Sequence, residues 1–189
     1  MTIYLIRHGA TEANLRRCFL GSTDQSLTPE SIRELKGRSY PPAGAVAVSP
    51  MTRCRETADI IYGSNYKVYP DLREIDFGEF DNKNHEELLR EHHFYQTWLD
   101  SGGALTPPGG EPAGDFRRRT CRCFLQIIAE TRQFPLAIVA HGGTIKALTD
   151  EYLDNDAGKE FYFWSVKNGG GIVCEWDGER LRMVGRLFD

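Results

Sequence analysis

Three runs of consecutive apolar residues stand out along the chain, and each ends at a polar side chain. They cover residues 3–6, 45–48 and 136–140. Short apolar runs that are bounded by turn residues are typical of strands buried on both faces, as in a parallel sheet. The pattern therefore predicts three parallel strands at the centre of an α/β fold.

Between these runs, apolar residues recur every three or four positions, which predicts helices. Thr28 followed by Pro29 is a favourable helix start, and Ser49 is the expected N-cap of a helix that begins near Pro50. A turn at Asp177 predicts a hairpin near the C-terminal end. The other predicted helices cover about 11–17, 86–99, 115–131 and 144–153, and the further predicted strands are 66–69, 161–166, 172–176 and 181–187.

The composition and charge argue against several classes of protein. The 189 residues carry a formal net charge of -4 and no long basic tract, so we expect no nucleic-acid partner. Arg7 interrupts the first apolar run, so no signal peptide or membrane span is expected. Five scattered cysteines are typical of a reducing cytoplasm. One arginine cluster, expected to form a solvated helix face, consists of Arg117, Arg118, Arg119 and Arg122.

A stretch rich in glycine and proline interrupts the regular pattern between residues 101 and 112. This composition is unsuited to helix or strand and is typical of a loop. With no repeat or linker elsewhere, we expect one domain over 1–189 with a cap or specificity segment at about 80–114. Tyr95 and Trp98 in this segment are expected to be core residues, with stacking on a flat substrate as the alternative.

Each of the three predicted strands is followed by residues suited to an anion. Parallel strands end at one edge of a sheet, so these residues are expected to meet there. Glycine lets the backbone approach a ligand, and helix N-termini offer free N–H groups to it. The residues are Arg7, His8 and Gly9 after the first strand, Ser49 and Arg53 after the second, and His141, Gly142 and Gly143 after the third.

Two histidines, two arginines and helix N-termini best suit a phosphoryl group. The planar fork of arginine meets two phosphate oxygens, and nearby arginines keep a nucleophilic histidine neutral. A leaving alkoxide also needs a proton, which a carboxylic acid can supply. The acidic loop that follows residue 73 offers Glu74, Asp76 and Glu79 for this role.

Two other interpretations stay open on the residues alone. His8, His141, Glu74 and Asp76 offer the nitrogen and oxygen ligands of a metallohydrolase, although two arginines would repel the cation and no H-x-H spacing occurs. The same pocket without a competent acid would be a non-catalytic phosphate-binding module. Arg53 alone is also compatible with simple pairing to a nearby carboxylate.

In sequence, the chain resembles the histidine phosphatase superfamily, the phosphoglycerate-mutase-like group. The resemblance rests on LIRHG at 5–9, SPMTR at 49–53, LRE at 72–74 and VAHGG at 139–143, in this order, with Asn14 six residues after His8. It implies a three-layer α/β/α sandwich with a mostly parallel central sheet. It also implies chemistry without a metal or cofactor.

Carried over by position, the resemblance implies that His8 becomes a phosphohistidine and that Glu74 is the proton donor. The residues implied to hold the phosphoryl group are Arg7, Asn14, Gly21, Arg53, His141 and Gly142.

Within the superfamily the resemblance is strongest to the α-ribazole phosphatases, because of FLGSTD at 19–24 and HGGTIK at 141–146. It implies hydrolysis of α-ribazole phosphate in cobalamin biosynthesis, by a cytoplasmic monomer or homodimer. Phosphoglycerate mutase and a broad-specificity phosphatase are the alternatives. Ala10 replaces the glutamate that is frequent after the R-H-G of the family, and Leu20 stands where mutases usually carry threonine. Both differences weaken the mutase interpretation more than the phosphatase one.

Overall fold

The computed structural model describes residues 1–153 and 166–188. The predicted central strands are confirmed, and so is the helix start at Pro29 with Thr28 as its N-cap. The predicted strand at 161–166 lies almost wholly outside the described residues. In chain order the elements are β1 (Thr2–Arg7), α1 (Glu12–Leu15), α2 (Pro29–Gly37), β2 (Ala45–Val48), α3 (Thr52–Tyr62), β3 (Lys67–Val68), α4 (His85–Glu91), α5 (His93–Asp100), α6 (Ala113–Glu130), β4 (Leu136–Ala140), α7 (Gly142–Tyr152), β5 (Gly171–Trp176) and β6 (Leu181–Leu187).

The six strands form one mixed sheet in the order β3-β2-β4-β1-β5-β6. The pairs β2 with β3, β2 with β4 and β1 with β4 are parallel, whereas β5 runs antiparallel to both of its neighbours. In register, Arg7 on β1 lies opposite Ala140 on β4, and Val48 on β2 lies opposite Val139. The carboxyl ends of these three strands therefore meet at one edge.

Helices cover both faces of the sheet, because the strand residues alternate between two apolar clusters. Ile3 and Leu5 on β1 pack with Phe124 of α6 and Leu148 of α7. Ile6, the next residue after Leu5, points to the opposite face and packs there with residues of α3. The fold is the predicted three-layer α/β/α sandwich. No helix in the described part of the chain has the length and hydrophobicity needed to cross a bilayer.

The predicted helix at 86–99 is two helices in the structure, and this prediction was wrong. His92 has an extended backbone, with φ -124° and ψ 105°, and ends α4 while preceding α5. The apolar spacing continues across the break, since Leu88 and Tyr95 pack together around Phe80. Packing around Phe80 therefore keeps the apolar side chains of α4 and α5 on one side, although the backbone is not helical at His92.

The sequence prediction of a helix cap at Ser49 was also wrong. Helix α3 begins at Thr52, and its N-cap, Met51, makes no side-chain cap hydrogen bond. Asp24 instead accepts hydrogen bonds from the N–H and hydroxyl groups of Thr52. A carboxylate far away in sequence thus satisfies the helix N-terminus, and the Ser49 hydroxyl binds another partner.

Candidate active site

His8 and His141 follow directly after the paired strands β1 and β4, and their imidazole rings meet at the shared edge of the sheet. The ring centroids lie 5.2 Å apart, and both side chains are buried. The N–H of His8 donates to the carbonyl of Ala140 at 3.0 Å, which continues the strand pairing into the site. The sheet register therefore fixes the relative position of the two histidines.

The ring of His8 is held in one tautomer. Its Nδ1 lies 2.6 Å from the carbonyl oxygen of Gly9, an acceptor only, so Nδ1 carries the proton and donates it. The lone pair is then on Nε2. Burial lowers the pKa of His8 well below its ordinary value, and the positive charges of Arg53 and Arg7 lower it further. His8 is thus a neutral imidazole with a nucleophilic Nε2.

His141 has protein partners on both ring nitrogens. Nδ1 accepts from Nε of Arg53 at 3.3 Å, so Nε2 carries the proton and lies 2.7 Å from the hydroxyl oxygen of Ser49. Burial lowers the pKa of His141, and His8 and Arg53 add to the effect. Ser49, predicted to cap a helix, instead orients this ring.

Arg53 has no exposed surface and is bound mainly by backbone carbonyls of the loop before α2. Its guanidinium donates to the carbonyls of Thr23 at 2.9 Å and Gly21 at 3.0 Å. Asp24 lies 3.6 Å away, so the carboxylate pairing considered for this arginine is present. Arg53 therefore links His141 to the loop at residues 20–24.

Arg7 is bound less completely. One terminal nitrogen donates to the carbonyl of Val166 at 2.9 Å, while the buried Nε has no hydrogen-bond partner among residues 1–153 and 166–188. Burial lowers the pKa of Arg7, although the nearby Glu74 carboxylate opposes this. A buried N–H donor without a partner is unfavourable, and an anion would satisfy it.

Of three predicted phosphate-binding residues, two have other hydrogen-bond partners in the structure and the third packs against Arg7. The amide oxygen of Asn14 caps α1 through Thr11 and accepts from Asn168. The N–H of Gly21 donates to Asp81 at 2.6 Å. Gly142, the first residue of α7, lies against Arg7: a Cβ on it would sit 3.6 Å from the guanidinium carbon. Phosphate contacts by these residues stay predictions.

Glu74 and Asp76 lie in different surroundings. Glu74 accepts from the N–H of Gly143 at 2.9 Å and from its neighbour Ile75 at 3.0 Å. Burial raises the pKa of Glu74, although these two hydrogen bonds oppose the shift. Asp76 instead accepts from the N–H of Gly78 and the hydroxyl of Ser22, within a turn. Glu74 is therefore the carboxyl group suited to hold a proton at the site.

Two glycines at the site are explained by packing. A Cβ on Gly9 would lie 2.9 Å from the side chain of Leu35 on α2. A Cβ on Gly143 would overlap the carboxylate of Glu74. The sequence suggested that these glycines bring the backbone close to a ligand, whereas their closest neighbours are side chains of the protein.

Arg119 was assigned to a solvated helix face, and the structure shows that this prediction was wrong. Its neighbours Arg117, Arg118 and Arg122 are exposed, but Arg119 is buried and paired with Glu111 at 2.7 Å. A faint signal was present in the sequence, since position 119 shares the helix face of Phe116 and Cys123, both of which are buried. Asn168 was missed as well: its amide donates to the carbonyl of His8 at 3.1 Å.

The arrangement is suited to phosphoryl transfer. A neutral imidazole offers its lone pair, Arg7 offers a donor that has no partner among the described residues, and a carboxyl group of raised pKa lies at the start of α7. Among the described residues, no three His, Cys, Asp or Glu side chains converge as metal ligands would. Tyr95 is fully buried and stacks on Trp98, so it is a core residue.

Comparison with known proteins agrees with this chemistry. The chain is 28% identical to the adenosylcobalamin/α-ribazole phosphatase of Salmonella typhimurium over 93% of this chain and 92% of that protein. It is 30% identical to a putative phosphoserine phosphatase 2 of Hydrogenobacter thermophilus, over 96% and 93% of the two chains. Its fold matches the crystal structure of the α-ribazole phosphatase from Shigella flexneri with a TM-score of 0.86 at 21% identity, covering 100% and 96% of the chains.

A family model extends this likeness over nearly the whole chain. The match covers residues 3–187 and therefore includes both histidines, both arginines and Glu74. The protein is a phosphatase that belongs to branch 1 of the histidine phosphatase superfamily.

Proposed function

We propose that this phosphatase hydrolyses a small phosphate monoester through a phosphohistidine on His8, without a metal ion. The observation that carries the proposal is the tautomer of His8, because the Gly9 carbonyl holds the proton on Nδ1 and leaves the Nε2 lone pair free. Arg7, whose Nε has no partner in the described part of the chain, is the adjacent donor for the phosphoryl oxygens.

The reaction has two steps. In the first, Nε2 of His8 attacks phosphorus, the bond between phosphorus and the ester oxygen breaks, and Glu74 gives its proton to the leaving alkoxide. In the second, Glu74, now a carboxylate, takes a proton from water as the water oxygen attacks the phosphohistidine. The bond between phosphorus and Nε2 breaks, phosphate leaves, and both residues return to their starting state.

The remaining residues stabilise charge on the phosphoryl group in this proposal. Arg53 and His141 hold each other in place beside His8, and in this proposal they exchange contacts with the Thr23 and Gly21 carbonyls and the Ser49 hydroxyl for the phosphate oxygens, next to Arg7. The N–H of Gly142, at the start of the eleven-residue helix α7, adds a donor and the positive end of the helix dipole. Asn14 and Gly21 complete the pocket.

The substrate we propose is α-ribazole phosphate, in cobalamin biosynthesis. Support comes from the full-length likeness to the Salmonella relative and from the FLGSTD and HGGTIK segments. The segment at about 80–114 is proposed to serve as the cap that contacts the leaving group. The relative from Hydrogenobacter is named a putative phosphoserine phosphatase, which makes phosphoserine the competing substrate to test. A cytoplasmic monomer or homodimer remains our prediction.

The experiment compares α-ribazole phosphate, phosphoserine, 3-phosphoglycerate and a chromogenic aryl phosphate, each with and without EDTA. Rapid quenching under alkaline conditions then tests for a phosphoenzyme, whose label should be lost on acid treatment. We expect turnover that survives EDTA, an acid-labile phosphoenzyme, and the highest kcat/KM with α-ribazole phosphate.

Each contrary outcome contradicts a different part of the proposal. Loss of activity with EDTA would contradict the metal-free mechanism. A higher kcat/KM with phosphoserine would contradict the substrate, and conversion of 3-phosphoglycerate to its isomer would indicate a mutase. Stabilisation by phosphate without any turnover would indicate a binding module.

A further inference from the structure

Arg119 on α6 uses every N–H donor of its guanidinium, three of them on the segment that carries Glu74. Nε and one NH2 nitrogen each donate to a carboxylate oxygen of Glu111 at 2.7 Å. The remaining three donors bind the backbone carbonyls of Asp71, Arg73 and Glu74 at 2.8 to 2.9 Å. A guanidinium has five N–H donors, so this side chain is saturated.

Glu111 extends the same network beyond Glu74. Its backbone N–H donates to the carbonyl of Asp76 at 2.8 Å, and its carboxylate accepts from the N–H of Asp76 at 3.4 Å. The loop that contains Glu111 also contacts the 3₁₀ turn at Gly78–Phe80, since the carbonyl of Pro108 accepts from the N–H of Glu79. The backbone is therefore held on both sides of Glu74.

We propose that Arg119 and Glu111 are positioning residues that set the position of the Glu74 carboxyl group relative to the phosphoryl group. The inference rests on the proposed role of Glu74 as the proton donor. Residues 73–77 lie in neither helix nor strand, so sheet hydrogen bonds do not fix this backbone. The buried ion pair and its three carbonyl contacts supply that constraint instead.

Lysine cannot replace Arg119 in this network. An ammonium group has three donors on a flexible stem, whereas the planar fork of arginine binds a carboxylate with two parallel hydrogen bonds and still reaches the carbonyls. In Arg119→Lys we expect the charge pair to persist and the carbonyl contacts to loosen. Misplacement by about 1 Å of a group at the chemistry costs on the order of 10²-fold in rate.

The test measures kcat/KM for two esters, an alkyl phosphate and 4-nitrophenyl phosphate, since only the alkoxide requires a proton from Glu74. Arg119→Lys and Glu111→Gln should lower kcat/KM for the alkyl ester by roughly 10- to 10²-fold. The aryl ester should react nearly as in the wild type. Arg118→Lys is the matched control, because Arg118 lies on the same helix and is exposed.

Combination with Glu74→Gln separates positioning from a general structural effect. If Arg119 acts through Glu74, then Arg119→Lys should have no further effect on the alkyl ester once the proton donor is absent. If Arg119 only stabilises the fold, the same factor should appear in both backgrounds and with both esters. Thermal unfolding and circular dichroism of each variant would confirm that the folded state is populated.

Two results would overturn the inference, and they are distinguishable. Equal losses on both esters in Arg119→Lys and Glu111→Gln, with a selective loss in Glu74→Gln, would reject positioning while leaving Glu74 as the donor. No selective loss in Glu74→Gln itself would reject the donor assignment, and the positioning role with it. The wild-type phosphoenzyme would still test the His8 mechanism independently.

Discussion

The two halves of the candidate site are built in different ways. The histidine half consists of residues that directly follow β1 and β4, whose register places Arg7 opposite Ala140. The carboxyl half is Glu74, which lies in an irregular segment between two short 3₁₀ turns. A sheet positions the first half, whereas side chains of distant residues position the second.

This difference shows which contacts hold each half of the site in place. Strand pairing fixes the backbone next to His8 and His141 through regular hydrogen bonds, so their geometry follows from topology. Glu74 lies outside the strands, so no regular series of sheet hydrogen bonds positions it. Each of its hydrogen bonds is formed with a different part of the chain. Its side chain binds the N–H of Gly143, and its carbonyl binds Arg119. We therefore expect the carboxyl half to be more sensitive to mutations outside the reacting groups.

The largest expected effect tests the histidine half. Removing a covalent nucleophile costs on the order of 10⁴–10⁶-fold in kcat, so His8→Ala should lose that much activity and all trapped phosphoenzyme. His141→Ala should be slower than the wild type but should still form phosphoenzyme. Rapid-quench labelling measures both, and His93→Ala, at an exposed position, is the control. Labelled enzyme in His8→Ala would contradict the assignment.

The next effect tests the carboxyl half. Loss of general acid catalysis lowers the rate of the first step by about 10²–10⁴-fold, and we expect this loss in kcat/KM for Glu74→Gln on alkyl phosphates but not in kcat/KM on 4-nitrophenyl phosphate. Asp76→Asn is the matched variant and should cost much less, because Asp76 binds a turn. Steady-state kinetics on both esters gives the ratio. A larger loss in Asp76→Asn would reverse the assignment.

A smaller effect tests how finely Glu74 is placed. A Cβ on Gly143 would overlap the carboxylate of Glu74, so Gly143→Ala should lower kcat/KM on alkyl phosphates by roughly 10- to 10²-fold. Gly142→Ala should cost less, since its Cβ would meet Arg7 at an ordinary 3.6 Å. Both glycines lie in the first turn of α7 with helical backbone, which alanine tolerates. Equal effects would show that the carboxylate adjusts freely.

The smallest effect is a change in the pH profile. Protonated His8 has no lone pair, so kcat/KM should fall at acid pH through a pKa below the ordinary histidine value of 6.5. Ionised Glu74 cannot donate a proton, so activity should also fall as pH rises through a pKa above the ordinary 4.5. In Glu74→Gln the alkaline limb should disappear while the acid limb stays. Persistence of the alkaline limb would assign it to another group.

Much of the fold was predictable because its signals are local. The apolar runs identified β2 and β4 to the residue, and Thr28 with Pro29 identified the start of α2. The errors came where distant contacts override local ones. Asp24, and not Ser49, accepts a hydrogen bond from the N–H at the start of α3. Packing around Phe80 continues the apolar spacing of a helix across the break at His92.

The sequence by itself determined where the residues of the histidine half lie. Strand ends in a parallel sheet converge, so placing His8, Arg7 and His141 after strands was enough to predict that they meet. Tertiary structure alone decided which carboxyl group of the loop contacts α7 and has a raised pKa, and that Arg119 holds this loop rather than facing solvent. Those outcomes depend on contacts between residues some 45 to 70 positions apart, which no local pattern of apolar and polar residues contains.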